Sequence, residues 1–249
     1  MKNDPQIIAI VQARLGSTRL PGKILKTVND KSLLKIMIDR VSKSRYIDEI
    51  VVATTTNPID IKIIEFCKKN DINFFVGSEN DVLSRYNDCA LKYKPDTIVR
   101  LTSDCPLIDP NVIDLVVKNY LDNDFDYVSN TTPPDTSTYP DGSDVEVFSR
   151  SALIKANKIA TDEQDREHVT FLFWRDDSRF SNLQIKNKED WSQYRFTLDY
   201  PEDFEVIKFL VRELSDQKMF GSINQIISIL NDNPHIKKKN KKYYSGISW

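Results

Sequence analysis

The segment Ala13–Lys23 reads ARLGSTRLPGK and puts three cations, Arg14, Arg19 and Lys23, in one loop with two glycines, Gly16 and Gly22. Small residues let backbone amides close on a polyanion, the cations neutralise it, and the Ser17 and Thr18 hydroxyls add donors. Such a loop suits a triphosphate, and two of the chain's six glycines cluster in it, which an ordinary basic surface loop would not require. It is not GxxxxGK[ST], because one residue too many separates Gly16 from Gly22 and Ile24 follows the lysine, and it is not GxGxxG. Two aspartates stand before prolines, Asp104 in SDCP and Asp199 in LDYP. Carboxylates beside a triphosphate suit Mg²⁺, which takes a few carboxylates together with phosphate oxygens and water. A turn or helix N-cap is the competing role for each.

Other polar residues carry two readings apiece. Asp81 and Arg85 are spaced i, i+4, as for an intrahelical ion pair. Arg100 interrupts an apolar run, so it either pairs with a carboxylate or lines the site. Asp144 and Glu146 alternate onto one strand face, where they either bind sugar hydroxyls or meet solvent. His168, one of two histidines, is either structural or sugar-binding, and Arg166 or Arg175 offers a clamp for a substrate carboxylate.

These residues need a scaffold. Gln6–Gln12, Asp48–Ala53, Ile72–Val76 and Thr97–Leu101 read as strands, alternating with helices over Ser32–Ser44, Asp60–Asn70, Glu79–Tyr93 and Asn111–Asn123. That rhythm predicts βαβ units: an α/β, Rossmann-like, mostly parallel sheet in three layers, with the Ala13–Lys31 loop at the carboxyl end of the first strand. Beyond Asp124 the pattern loosens. Asp126–Asn130, Asp144–Phe148, Phe180–Ile185 and Tyr194–Leu198 read as strands, and Ser151–Ile159, Asp165–Trp174, Asp203–Leu214 and Ser222–Asn231 as helices. One domain is expected over 1–236, with an irregular insertion at about 131–175, followed by a Lys-rich tail over 237–249 read as a solvated or frayed end.

VQARLGSTRLPGKIL closely resembles the opening motif of the CMP-sugar synthetases, the cytidylyltransferases that activate acidic sugars with CTP, and within them the branch of spore coat polysaccharide biosynthesis protein F. The likeness continues through GSENDVLSRY, VRLTSDCPLIDP, DGSDVEVF, REHVT and RFTLDYPEDF, spanning roughly residues 7–205 and leaving the tail outside. Ser103 stands where glycine is more usual, and a small polar residue should still fit. The resemblance implies a nucleotide-diphospho-sugar transferase type of fold and transfer of CMP from CTP to a sugar or sugar-acid hydroxyl, for cell-surface polysaccharide. Ala13, Arg14, Gly16, Ser17, Arg19, Lys23 and Arg85 would bind nucleotide, and Asp104 and Asp199 would hold Mg²⁺. Arg14, Lys23 and Asp104 would carry catalysis, and Asp144, Glu146, Arg166 and His168 would face the acceptor. A homodimer using the insertion is implied as well.

Composition limits the alternatives. With 249 residues, 40% of them hydrophobic, and a net charge of −2, the chain shows neither the signature of disorder nor the basic footprint of a nucleic-acid binder. No apolar run approaches a membrane span, the N-terminus lacks a signal-peptide pattern, and three scattered cysteines fit reduced thiols in the cytoplasm. A glycosyltransferase on a similar sheet would present a DxD pair, whereas Asp104 is followed by Cys105 and Pro106. Another triphosphate remains an alternative, because the phosphate loop does not read the base.

Overall fold

The computed structural model describes residues 5–243. In chain order the strands are β1 (Ile7–Gln12), β2 (Thr27–Val28), β3 (Lys31–Ser32), β4 (Glu49–Thr55), β5 (Asn73–Gly77), β6 (Thr97–Thr102), β7 (Tyr127–Ser129), β8 (Glu146–Ser149) and β9 (Asn182–Gln184). The helices are α1 (Leu33–Val41), α2 (Ile61–Lys69), α3 (Val82–Tyr93), α4 (Pro110–Asp122), α5 (Arg150–Ile159), α6 (Glu163–His168), α7 (Phe171–Arg175), α8 (Pro201–Asp216), α9 (Ile223–Asp232) and α10 (Pro234–Lys237).

The apolar run of β1 is buried on both faces because its side chains alternate between two cores. Ile7, Ala9 and Val11 pack with α1, α2, α4, α8 and α9. Ile8 and Ile10 pack with Leu83 and Tyr86 of α3, Leu153 of α5 and Phe173 of α7. A strand read from both sides must lie inside a three-layer sandwich, and it does. The seven-stranded sheet has the order β5-β4-β1-β6-β8-β7-β9. Only β8 runs against its neighbours, being antiparallel to both β6 and β7. The direction of winding reverses between β1 and β6, which pair in parallel from Ile7↔Thr97 to Gln12↔Thr102. Their carboxyl ends are therefore level, and the loops leaving them open onto one crevice, where open α/β sheets bind ligands. Among the described residues no helix is long and apolar enough to cross a membrane.

The structure departs from the sequence pattern in four places. Within the expected loop Ala13–Lys31, a short hairpin forms from β2 and β3. The expected helix Asp165–Trp174 is two helices, broken where Val169 adopts φ 62°. The Thr170 amide donates to the His168 carbonyl at 2.6 Å, closing a γ-turn that no continuous helix can contain. Val169 is held there by burial of its side chain beneath α3 and α5. Among the described residues Tyr194–Leu198 makes a single bridge, Arg195 to Asp141, so it runs as a ribbon beside the sheet instead of a laddered strand. Finally, Lys237–Tyr243 is not frayed: it packs on the start of α8, as detailed below. Residues 244–249, the remainder of the expected tail, lie outside the described residues.

Candidate active site

The loop after β1 is braced from behind. Asp60, itself buried, accepts the Leu15 amide at 2.7 Å and also the Thr55 hydroxyl. The Gly22 amide donates to the Leu15 carbonyl at 3.3 Å, and Gly22 takes φ 65°, a left-handed turn that aims Lys23 inward. Between these anchors, the amides of Gly16, Ser17, Thr18 and Arg19 have no protein acceptor among the described residues. Their N–H groups remain available to an anion, as the sequence pattern expects.

Lys23 joins the two separated aspartates. Its ammonium lies 2.9 Å from Asp199 Oδ1 and 3.6 Å from Asp104 Oδ2. Burial works against that charge, but Asp104 and Asp199 outweigh it and hold the lysine above its ordinary pKa. Asp199 is half-buried, and although burial works against its charge, Lys23, Arg19 and Arg195 together keep its carboxyl below the usual range. Asp104 is presented by backbone pairing: its carbonyl accepts the Leu198 amide at 2.8 Å and the Thr197 hydroxyl at 3.2 Å. The same bonds bring the ribbon 194–198 against the end of β6, so Asp199 reaches Asp104 without a ladder between their segments.

Beneath Asp199 lies a clamp absent from the expectations. Asp203 is fully buried and accepts Arg195 Nε at 3.0 Å, Arg195 Nη2 at 2.9 Å, and the amides of Asp199 and Tyr200 at 2.9 Å each. Arg195 also pairs with Asp141, and its Nη2 is 3.4 Å from Asp199 Oδ2. Asp203 stands three residues after the N-cap Tyr200, so the capping-box spacing was the available signal for its amide contacts. Nothing local marks its contact with Arg195.

Asp144 enters from the loop before β8. It accepts the Gly142 amide at 3.1 Å and the Cys105 thiol at 3.4 Å, which places it beside Asp104. Burial and Asp104 push its carboxyl up. Burial and Asp144 likewise raise Asp141, to about 8 despite Arg195. Asp104 and Asp199 converge on one cationic centre, 3.6 and 2.9 Å from the Lys23 ammonium, and a carboxylate pair so placed suits a hard divalent cation. The residues present fit such an ion.

The remaining site residues are placed as follows. Asp81 does not pair with Arg85: it caps α3 by accepting the Ser84 amide at 2.8 Å and binds Arg166 at 2.5 Å. Arg166 also meets the Asn157 side chain at 3.0 Å, so it ties α6 to α3 and α5 and has no part in a free carboxylate clamp. Arg85 is buried, donates to the Ser78 carbonyl, and leaves its Nε without a partner. Its pKa is lowered by burial, with Arg14 and Arg100 adding repulsion, which puts it behind Arg14. Arg14 itself is exposed on the loop. Glu146 is not on a solvated face. It is buried, pairs with Arg100, and accepts the Tyr127 and Thr170 hydroxyls at 2.6 Å each. Arg100 thus finds its carboxylate, and its Nη2 reaches Gln12 Oε1 at 3.2 Å. His168 is half-buried and stacks on Phe171 at 4.3 Å. Arg175 lies over Phe171 at 3.6 Å and Trp174 at 4.9 Å. The cysteines Cys67, Cys89 and Cys105 are free and buried.

A switch-point loop rich in cations and open amides, facing two carboxylates across the crevice of such a sheet, suits a triphosphate and its cation. The cytidylyltransferase family matches residues 8–244, and the chain belongs to it: it is a CTP-dependent nucleotidyltransferase. That match reaches through the Lys-rich stretch, which the sequence likeness alone had left outside. The chain is 34% identical over 237 residues to the spore coat polysaccharide biosynthesis protein SpsF of Bacillus subtilis, covering 92% of this chain and 95% of that one. It is 39% identical over 241 residues to an uncharacterized protein of Methanocaldococcus jannaschii, covering 94% of each. The structure of a cytidylyltransferase from Leptospira borgpetersenii superposes with a TM-score of 0.86 at 36% identity, covering 94% of this chain and 98% of that one.

Proposed function

We propose that the chain transfers CMP from CTP to a hydroxyl of a sugar or sugar acid, releasing pyrophosphate and supplying an activated sugar for cell-surface polysaccharide. The observation that carries this reading is Lys23 meeting both Asp104 and Asp199 at the mouth of the loop 13–23. The triphosphate lies along that loop, with the amides of Gly16 and Ser17 as donors, Ala13 at the entrance, and Arg14, Arg19 and Lys23 as countercharges. Arg85 adds a further cation near Arg14 on the polyanion's side of the sheet. The acceptor oxygen forms a bond to the α-phosphorus as the bond to the bridging oxygen of pyrophosphate breaks, and the hydroxyl proton passes to solvent or a carboxylate. Negative charge builds on nonbridging and leaving oxygens, so positioned cations do most of the work.

Asp104 and Asp199 would hold Mg²⁺, which when bound supplies charge neutralisation and activation of the acceptor hydroxyl. Asp144, next to Asp104, and His168 face the acceptor. Glu146 acts through Arg100 and Arg166 through α6, both as supports. The reaction belongs in the cytoplasm, where CTP is available and three buried thiols stay reduced. A homodimer built on the 131–175 segment completes the proposal, and a single-protomer mass by light scattering would contradict it.

The test is pyrophosphate release from CTP, UTP, GTP and ATP with Mg²⁺ across a panel of sugars and sugar acids. CTP with one acidic sugar should dominate. Lys23→Ala and Asp104→Ala should each lower kcat about 10²–10³-fold in a folded protein. Wild-type rates in either variant, or equal use of all four nucleotides, would overturn the assignment.

A further inference from the structure

The Lys-rich C-terminal stretch reaches the nucleotide site by two independent contacts. Asn240 is buried, only 3% exposed, and its side-chain amide donates to Asp203 Oδ1 at 2.8 Å and to the Arg195 carbonyl at 3.3 Å. Asp203 is the carboxylate that gathers Arg195 and the amides of Asp199 and Tyr200. Three residues on, the Tyr243 ring stacks on Tyr200 with centroids 3.6 Å apart and planes 2° from parallel. Tyr200 in turn accepts Arg19 Nη1 at 3.2 Å, with the Arg19 guanidinium 4.9 Å from its ring centre. Glu202 secures the end of the stretch, accepting Lys242 Nζ at 2.7 Å and the Tyr243 hydroxyl at 3.0 Å.

We propose that residues 240–243 form a positioning strap for the nucleotide site, in which Asn240 fixes the Asp203 clamp under Asp199 and Tyr243 fixes Tyr200, which holds Arg19. The inference rests on the reading above that Arg19 and Asp199 serve CTP and its cation. A long arginine side chain at an exposed loop loses much rotamer freedom when it grips a phosphate. Arg19 is half exposed, at 53% for its side chain, and before the ligand arrives Tyr200 at 3.2 Å and Asp199 at 3.5 Å limit that freedom together. Tyr200 can only do so if its own ring is fixed, and the face-on contact with Tyr243 fixes it. Asn240 does for Asp199 what a supporting hydrogen bond does for a metal-ligating carboxylate: it completes the coordination of the group that orients it. Lys242 anchors the stretch on Glu202, whereas Asn240 and Tyr243 carry the contacts that reach the nucleotide site.

A tail that merely stabilises the fold predicts a lower melting temperature with unchanged nucleotide affinity. The strap predicts a change in affinity. In the full-length protein, Tyr243→Ala should weaken CTP binding, measured by calorimetry with Mg²⁺ and no acceptor, about fivefold to tenfold, the scale of one aromatic contact. Tyr243→Phe keeps the stacked ring and loses only the hydroxyl bond to Glu202, so it should recover most of the CTP affinity that Tyr243→Ala loses. In turnover, Tyr243→Ala should raise KM for CTP and leave KM for the acceptor in place. Asn240→Ala should raise the Mg²⁺ concentration needed for half-maximal CTP binding. CTP affinity in Tyr243→Ala equal to that of the natural protein, or Tyr243→Phe as weak as Tyr243→Ala, would overturn the strap. Failure of the natural protein to bind CTP would instead show that the nucleotide reading itself is wrong, and the strap would fall with it.

Discussion

Lys23 is largely withdrawn from solvent between two carboxylates, and an ammonium taken that far out of water is stable only where its charge is met. The meeting also explains why the loop was legible: Arg14, Gly16, Arg19, Gly22 and Lys23 are neighbours in sequence, so one short segment holds most of the phosphate chemistry. Asp60 was not legible, because it lies in an unremarkable helix start and acts on Leu15 across 45 positions. Arg195 and Asp203 were missed for the same reason, since their partners come from three separate segments. Asp60 makes a direct test of how far the loop depends on its brace. Asp60→Ala strands the Leu15 amide and the Thr55 hydroxyl in a dry interior, which should cost about 1–3 kcal/mol in urea unfolding. Because the loop then slackens, KM for CTP should rise as well. An unfolding midpoint and a KM like those of the natural sequence would show that the loop holds its shape alone.

At the scale of elements, the alternating first half was readable because period and punctuation agree there: β1, α1, β4, α2, β5, α3, β6 and α4 fall within a few residues of their expected bounds. The second half defeated the pattern where tertiary contacts override it. Tyr194–Leu198 has a strand's composition, but its Phe196 and Leu198 amides go to the Asp141 and Asp104 carbonyls in loops and its Tyr194 amide to Trp191. Gly142 shows what that ribbon demands. It has φ 104°, and a Cβ there would stand 2.5 Å from the Thr197 nitrogen and 2.7 Å from the Phe196 carbonyl carbon. Backbone cannot yield as a side-chain tip can, so Gly142→Ala must push the ribbon away from Asp141 and with it the Arg195 clamp. The expected loss is about 3 kcal/mol or more, together with reduced turnover. Gly22 is the control within the same molecule, since its φ of 65° faces open space. Gly22→Ala should cost only the left-handed backbone penalty of about 1–2 kcal/mol. Equal destabilisation of the two variants in parallel urea titrations would refute the argument from close approach.

For the molecule as a whole, charge is nearly balanced, at −2, yet the crevice collects carboxylates from the turn after β6, the loop before β8 and the approach to α8. The price appears in Asp141, whose carboxyl is raised by burial and by Asp144 from 3.8 to about 8. Between those values the folded protein keeps a proton that the unfolded chain releases. The native state therefore binds more protons, and this group's contribution to stability falls as pH rises from about 4 to 8. Thermal unfolding of the nucleotide-free protein should show that decline, and Asp141→Asn should flatten it, at some cost in overall stability from the weakened Arg195 pair. Ligands that neutralise the crevice act in the opposite direction. At a hundredfold excess over Kd, CTP with Mg²⁺ should stabilise by about 2.7 kcal/mol, or roughly 5–10 °C in Tm for a chain of this size. Asp199→Ala should lose most of that gain while Lys118→Ala, whose i,i+4 partner Asp122 lies on the outer face of α4, should keep it. A Tm that rises equally in both variants would mean that nucleotide and cation bind away from the crevice, whatever the loop's composition suggests.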